Sequence, residues 1–135
     1  MQPLRITLIV IGVFQLVLGL LFTFAPFAAA DVFGLDPAAP PWAEWLFVMM
    51  GARFLAFAYG MALAARDPDR NRGWIDAMIV VQAIDWIATL VFLANGDVTL
   101  AQVSTAAVMP PLFVTALLWW HPRRAGAEQA LSRPR

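Results

Sequence analysis

Two opposite charges stand near the middle of long hydrophobic stretches of the sequence. Arg53 lies within the stretch 42–65, and Asp85 lies within the stretch 74–94. Either charge alone at mid-bilayer would cost at least about 2.5–3.5 kcal/mol, so each one needs a partner. We therefore expect Arg53 and Asp85 to lie in direct contact or one water apart, in a buried polar centre. Removing one member of such a buried pair should destabilise the protein by about 3–5 kcal/mol.

A glutamine and its neighbouring glycines bring a second polar feature to the same depth. Gln15 stands at the midpoint of the first hydrophobic stretch and shares a helical face with Gly12 and Gly19. Small residues let a neighbouring helix approach closely, so these glycines are helix-packing candidates. Gln102 and Thr105 share one face of the last stretch by their i, i+3 spacing.

Gln82 and Tyr59 complete the set of candidate site residues. Gln82 lies three residues before Asp85, on the same face of a helix. Tyr59 can donate to a headgroup or a quinone carbonyl, although a tyrosine satisfied within the core is the more ordinary role. For the glutamines, hydrogen bonds between helices, worth about 0.6 kcal/mol each, are the plain alternative to ligand binding.

Two adjacent prolines mark the middle of the last stretch. Pro110 and Pro111 lack the N–H groups that the carbonyls of Ala106 and Ala107 would accept, which predicts a helix break. The freed carbonyls need a donor inside the protein, and Arg53 has five N–H groups to offer. A simple kink and a gate are both compatible with this pattern.

A ladder of small residues runs along the second stretch. Its members are Ala52, Ala56, Gly60 and Ala64, spaced four residues apart. This spacing is typical of close helix packing, either within the chain or between copies.

Composition excludes several classes of function. The chain has 135 residues, of which 61% are hydrophobic and 13% charged, and this balance is typical of a membrane protein. The net charge is zero, so we expect no nucleic-acid partner. There is no cysteine and a single histidine, His121, and no known catalytic or metal-binding spacing occurs. We predict no metal site, no catalytic residues and no obligate cofactor, and these features favour a non-enzyme.

Four stretches are long enough to span a bilayer as helices: residues 4–25, 42–65, 74–94 and 98–120. Arginines cluster in residues 66–72 and in the tail, and by the positive-inside rule these regions and both termini are cytoplasmic. The predicted fold is an all-α, four-transmembrane-helix bundle over residues 1–122. Residues 123–135 are predicted to form a polar, poorly ordered cytoplasmic tail.

The segment 27–35, between the first two spans, is apolar but too short to cross a membrane. We predict a short interfacial or re-entrant segment at the outer leaflet. The N-terminal stretch also has features of a signal peptide, but its apolar run is long for one, which favours a span.

Three segments carry a family resemblance: residues 19–26 (GLLFTFAP), 33–35 (FGL) and 51–60 (GARFLAFAYG). They resemble the DoxX-like superfamily of small bacterial four-helix membrane proteins. The resemblance implies an inner-membrane helix bundle, and some members are linked to respiratory quinone-reducing complexes or to complex assembly.

Two functions are favoured by the sequence, and a membrane enzyme that works with Arg53, Asp85 and Tyr59 alone is a third and less favoured one. The first is a non-catalytic accessory or assembly subunit of a larger inner-membrane complex, with a membrane-protein partner or a second copy bound to it. The second is a binding or transport protein that holds a small amphipathic molecule, such as a quinone, a lipid or an organic anion, at the Arg53/Asp85 centre. The Arg53–Asp85 pair can equally serve architecture alone, by fixing how the helices pair.

Overall fold

The computed structural model describes residues 2–34 and 41–122, and every regular element in these ranges is a helix. The predicted tail, 123–135, lies outside the described residues. The helices, in chain order, are α1 (Gln2–Phe24), α2 (Pro26–Val32), α3 (Pro41–Arg66), α4 (Arg72–Asn95) and α5 (Leu100–Trp119). The all-α prediction is confirmed for this part of the chain.

The four long helices, α1, α3, α4 and α5, are each long and apolar enough to cross a membrane. Their bounds lie within two residues of the four predicted spans at both ends. Two local signals define the turn between α4 and α5. Gly96 ends α4 with φ 80°, a left-handed conformation that glycine adopts without strain. Thr99 and Gln102 then form a reciprocal capping box at the start of α5.

The short helix α2 follows α1 almost without interruption. Pro26 lies in its first turn. Backbone N–H groups in the first turn have no acceptor within the helix, so a proline, which lacks this group, is tolerated there. Ala29 and Ala30 are fully buried, and Phe33, just beyond the helix, stacks on Phe22 with ring centroids 5.7 Å apart. The segment predicted at the interface is therefore helical as far as Val32, and one side of this helix packs against the long helices.

Glycines let α1 and α3 approach closely. A Cβ on Gly19 would stand 2.9 Å from the backbone nitrogen of Leu55, and a Cβ on Gly51 would stand 2.8 Å from that of Thr23. A Cβ on Gly12 would meet the Cβ of Met61 at 3.2 Å. The packing role predicted for Gly12 and Gly19 therefore has a clear structural basis. The contact between α1 and α3 is the most extensive one between the described helices, and the contact between α4 and α5 is the next.

One end of the helices is solidly packed. We call it the terminal end, because it contains the start of α1 and the end of α5. Its core brings together all four long helices through the following buried residues: Leu4, Leu8, Ile11, Met61, Ala64, Ile75, Met78 and Leu117. Across this end, His121 Nε2 lies 2.8 Å from Asp76 Oδ1 and links α5 to α4. The opposite end, which we call the α2 end, is more open.

The small-residue ladder of α3 divides between two environments. Gly60 and Ala64 are buried, and Gly60 lies directly against the ring of Trp74 on α4. Ala52 and Ala56 are exposed. The reason is geometric, because each step of four residues turns about 40° past one full helical turn, and three steps carry the ladder around the helix. Only its half at the terminal end packs between α3 and α4.

The helix break predicted at Pro110 and Pro111 does not occur at these residues. Helix α5 runs through both prolines, and Pro110 is buried. The backbone departs from helical geometry at Val103 instead, with φ −113° and ψ 15°. Pro111 is accommodated without a break because the carbonyl that it frees, that of Ala107, finds a donor on α4, described below.

Candidate ligand-binding cavity

A cavity of about 230 Å³ lies among the four long helices, toward the α2 end. It begins where the core of the terminal end stops, at the level of Gln15 and Gln82. Its walls come from α1, α3, α4 and α5 and from Phe33 after α2. The residues that line it are Phe14, Gln15, Leu18, Phe22, Phe33, Met50, Phe54, Gln82, Asp85, Gln102, Val103, Thr105, Ala106, Met109 and Pro110.

Most of the wall is apolar, and aromatic rings form much of it. Phe22 is buried and packs on Phe33, Phe47 and Phe54, with centroid distances of 5.7, 5.8 and 5.9 Å. Phe14 meets Phe113 edge-to-face at 5.5 Å. Such walls bury apolar groups well, and ligand sites commonly combine them with a few placed polar groups.

The polar residues of the wall come from three helices. Gln15 lies on α1, Gln82 and Asp85 on α4, and Gln102 and Thr105 on α5. The structure therefore brings all five together at one cavity, and the pairs Gln82 with Asp85 and Gln102 with Thr105 share helical faces as predicted. Their role in binding stays a prediction.

Two glutamine amides meet at one sulfur. Gln15 Nε2 lies 3.8 Å from Met78 Sδ, and Gln82 Nε2 lies 3.6 Å from the same atom. Both glutamines are buried, with exposed fractions of 3% and 6%. A thioether sulfur is a weak acceptor and cannot donate, so the amide nitrogens face it.

The oxygen of Gln15 is left without a partner. Gln15 Oε1 is buried, and within the described residues no donor reaches it. A buried acceptor without a hydrogen bond costs about 1–3 kcal/mol. Native proteins rarely keep such groups unpaired, and an ordered water or a bound ligand often supplies the missing hydrogen bond.

Arg53 and Asp85 are in contact, with Arg53 Nη2 3.4 Å from Asp85 Oδ2. The sequence predicted this contact, but it also predicted that the pair would be buried. The two side chains are 46% and 37% exposed, so the pair is not a buried centre. Asp85 lines the cavity, whereas Arg53 does not, and it bridges the gap between α3 and α4 from outside. The guanidinium carbon also lies 5.9 Å from the centroid of the Phe54 ring, within cation–π range.

Tyr59 is separate from the cavity. Its side chain is 63% exposed and lines a shallow surface groove between α1 and α3, beside Leu8 and Gly12. The reason lies in its spacing, because six residues from Arg53 place Tyr59 about 120° away around the helix. The geometry does not join Tyr59 to the other candidate residues.

Sequence reasoning missed Trp86. Its indole Nε1 donates a hydrogen bond to the carbonyl oxygen of Ala107 at 3.0 Å. This carbonyl is the one that Pro111 deprives of its helical partner. Arg53 was the donor expected from the sequence, whereas the structure supplies an indole from the middle of α4. A tryptophan at mid-span, away from the interface depth where this residue is common, was the available signal.

Gln102 ties α5 to the end of the α2 segment. Its Nε2 donates to the carbonyl oxygen of Gly34 at 3.2 Å, and its Oε1 accepts from Thr99 N at 2.8 Å. Both ends of this amide are therefore engaged by protein groups. The contact holds α5 against the segment after α2, beside the cavity that Gln102 and Phe33 both line.

Within the described residues, no group of three or more histidine or acidic side chains could hold a metal ion. No protein family model, curated protein or solved structure matches this chain. The residues that line the cavity provide a largely apolar chamber with a few polar groups, which come from three of the helices, and this arrangement is suited to binding.

Proposed function

We propose that this protein binds one small, largely apolar molecule with a single polar end in the cavity toward the α2 end. The observation that carries the proposal is the largely apolar chamber itself, whose wall includes the polar residues Gln15, Gln82 and Asp85. An apolar body would contact the phenylalanine walls, and a polar end would reach Gln15 and Asp85.

The size of the chamber limits the ligand. An engineered apolar cavity of about 150 Å³ in another protein takes one benzene molecule. A chamber of about 230 Å³ holds a substituted ring or a short chain, and the remainder of a longer molecule would extend between the helices into lipid. A quinone-like compound and a lipid both have this form. This role requires no catalytic residue.

We place the protein in a bacterial inner membrane as a four-transmembrane-helix bundle with both termini cytoplasmic. The four long apolar helices support a multi-pass membrane protein. The arginines at residues 66–72 and 123–135 support the orientation, which puts the cavity in the outer half of the bilayer. The DoxX-like resemblance of residues 19–26 and 51–60 is consistent with this placement.

The test is purification of the full chain in mild detergent, followed by mass spectrometry of the organic extract. The binding role predicts a small molecule in stoichiometric amount. Ala106→Phe, which projects a ring from the middle of the cavity wall of α5, should displace this molecule. Ala88→Phe is the matched control, because Ala88 is exposed and does not line the cavity. Equal extracts from both variants would contradict the proposal.

A second candidate role, as an accessory or assembly subunit, is favoured by one surface of α3. Ala52 and Ala56 are exposed there, beside the half-exposed Arg53–Asp85 pair. Charges facing lipid at mid-depth are costly, and small residues are common where transmembrane helices meet. We propose that a helix of a partner membrane protein covers this surface, with a polar group facing the ion pair.

Cross-linking in intact membranes tests this second role. A photoreactive residue at Ala52 should capture a distinct membrane protein, whereas one at Val91, exposed on α4, should not. Capture of a second copy of this chain would show that the surface is the interface of a homo-oligomer, and not the binding site of a different protein. Capture of lipid alone from both positions would argue against any partner on this surface.

A further inference from the structure

We propose that the surface groove between α1 and α3 binds one anionic phospholipid, with an acyl chain in the groove and the phosphate headgroup beside Arg5 and Arg66. This groove is separate from the cavity described above, and no residue lines both. Lipid binding here is therefore independent of a ligand in the cavity. The groove is lined by Leu8, Ile9, Gly12, Val13, Leu16, Leu55, Ala58, Tyr59 and Ala62.

Small residues let the groove form between two closely packed helices. Gly12 and Ala58 lie at its floor, where a Cβ on Gly12 would meet the backbone oxygen of Ala58 at 3.7 Å. The larger side chains of the lining, such as Ile9 and Leu16, are exposed at the surface of the protein. Apart from the hydroxyl of Tyr59 the lining side chains are apolar, so the groove is matched to a hydrocarbon chain.

The groove extends from the terminal end toward the middle of the helices. It follows α1 from Leu8 to Leu16, which at 1.5 Å per residue is about 12 Å. One leaflet contributes about 15 Å, half of the hydrocarbon core of a bilayer. One acyl chain of the leaflet at the terminal end, the cytoplasmic leaflet in the proposed orientation, is therefore long enough to follow the groove along its whole course.

Arg5 and Arg66 lie at the terminal end of the groove, on the helix faces that line it. Arg5 precedes Ile9 by four residues on α1, and Arg66 follows Ala62 by four residues on α3. Residues four apart lie one above the other on a helix. Between the helices, Arg5 Nη2 lies 3.5 Å from the carbonyl oxygen of Arg66. Two basic residues from different helices thus meet where the groove begins.

Both arginines are exposed, and neither forms an ion pair with a described residue. Arg72, by contrast, lies 2.8 Å from Asp69. Arg5 uses one N–H for the carbonyl of Arg66, which leaves four of its five N–H groups for a ligand. Guanidinium groups form charge-assisted, often bidentate hydrogen bonds with phosphate. Basic sites between transmembrane helices at the membrane surface bind anionic headgroups in this way.

A phospholipid fits this surface better than a helix of a partner protein. A partner helix would have to present both an apolar face to the groove and acidic groups at the depth of the arginines. An anionic phospholipid carries the apolar chain and the phosphate in one molecule, and in a bilayer lipid already surrounds this surface. The apolar groove and the two arginines are together complementary to such a molecule.

Native mass spectrometry of the full chain tests the site. The protein in detergent is incubated with equal amounts of dioleoyl phosphatidylglycerol and dioleoyl phosphatidylcholine, which have the same acyl chains and differ in headgroup charge. We expect adducts with the anionic lipid to exceed those with the zwitterionic lipid on the order of tenfold, since each basic residue contributes about fivefold in affinity.

Arginine variants assign the headgroup. Arg66→Gln should lower the ratio of the two adducts about fivefold, and Arg5→Gln combined with Arg66→Gln should bring it near one. Arg70→Gln is the matched control, because Arg70 is exposed in the turn toward α4 and only its backbone N–H contacts Asp67. A ratio kept in the double variant, or lowered equally by Arg70→Gln, would overturn the headgroup site.

A second variant tests the groove. Ala62→Phe places a ring in the groove and should reduce the adducts of both lipids, whereas Ala88→Phe, on an exposed face of α4, should not. Equal adducts in the two variants would overturn the groove as the site of the acyl chain.

Two further outcomes would replace the lipid by another occupant. Glycerol phosphate carries the phosphate without acyl chains and should not displace the anionic lipid at equal concentration. Full displacement would assign the arginines to a free anion and overturn the lipid site. A lipid-free dimer that Ala62→Phe dissociates would assign the groove to a second copy of this chain and would also overturn it.

Discussion

The indole N–H of Trp86 donates a 3.0 Å hydrogen bond to the carbonyl oxygen of Ala107, which has no donor within its own helix, α5. Pro111 cannot donate to the Ala107 carbonyl, and in lipid no water is available to replace it. The indole N–H of Trp86 also needs an acceptor at this depth. One bond therefore satisfies two groups, and it fixes α4 against α5 beside the cavity.

Replacing Trp86 by phenylalanine should leave the Ala107 carbonyl without a hydrogen bond. Trp86→Phe keeps an aromatic ring but removes the donor, and we expect the free energy of unfolding to fall by about 1–3 kcal/mol. Pro111→Ala restores a helical N–H for Ala107, so the loss in the double variant should be smaller than the sum of the single effects. Unfolding in mixed detergent and dodecyl sulfate micelles measures all three variants. Strictly additive effects would show that the bond does not couple these residues.

Gly51 is predicted to tolerate no side chain. Gly51→Ala would place a Cβ 2.8 Å from the backbone nitrogen of Thr23, and backbone cannot move aside cheaply. We expect a loss of unfolding free energy of about 1–3 kcal/mol, as for other overpacked sites. Gly73→Ala on α4 is the control, because nothing lies within 4 Å of its added Cβ. The control should be neutral or slightly stabilising, and equal losses in both variants would contradict the steric account.

The positions of the long helices could be predicted from the sequence. Each span must satisfy its own backbone hydrogen bonds in lipid and is therefore a helix, so the length of each hydrophobic stretch was enough to locate it. Faces also followed, as Gln82 with Asp85 and Gln102 with Thr105 show. How deeply each face is buried did not follow. Arg53 touches Asp85 but stays half-exposed, since the separation of α3 and α4 depends on which residues pack at the terminal end, such as Gly60 against Trp74. The cavity was not predicted for the same reason.

The orientation of the chain in the membrane is a prediction from its arginines. A reporter that is active only in the cytoplasm should be active when fused after Arg135, and one active only in the periplasm should be silent there. The periplasmic reporter should become active when fused after Asp97, in the turn between α4 and α5. The opposite pattern would invert the protein and move the cavity to the inner half of the bilayer.

Removing the polar group of Gln15 should stabilise the unliganded protein. Gln15→Leu replaces an amide whose oxygen has no partner and whose nitrogen has only a weak one. Relieving one unpaired buried acceptor is worth about 1–3 kcal/mol, and the lost contact to Met78 offsets a small part of it. The unfolding temperature of delipidated protein should therefore rise. Gln102→Leu is the contrast, because both ends of that amide are bonded and its loss should lower the unfolding temperature.

The Arg53–Asp85 pair is expected to matter more for insertion than for the unfolding of purified protein. Both side chains are half-exposed at the surface of the protein and not enclosed by it, so in detergent Arg53→Gln or Asp85→Asn alone should change the free energy of unfolding by about 0–1 kcal/mol. In the membrane an unpaired charge at mid-depth remains costly, so each single variant should lower the folded yield, and the double variant should recover it. Folded yield is measured by fluorescence-detected size exclusion of detergent extracts.

If the double variant recovers its yield but loses either the extracted small molecule or the partner captured at Ala52, that loss identifies the function that the pair serves. Single variants that match the unchanged protein in both yield and unfolding would show that the contact carries no energy, and the surface of α3 around Arg53 would then need no partner to cover it.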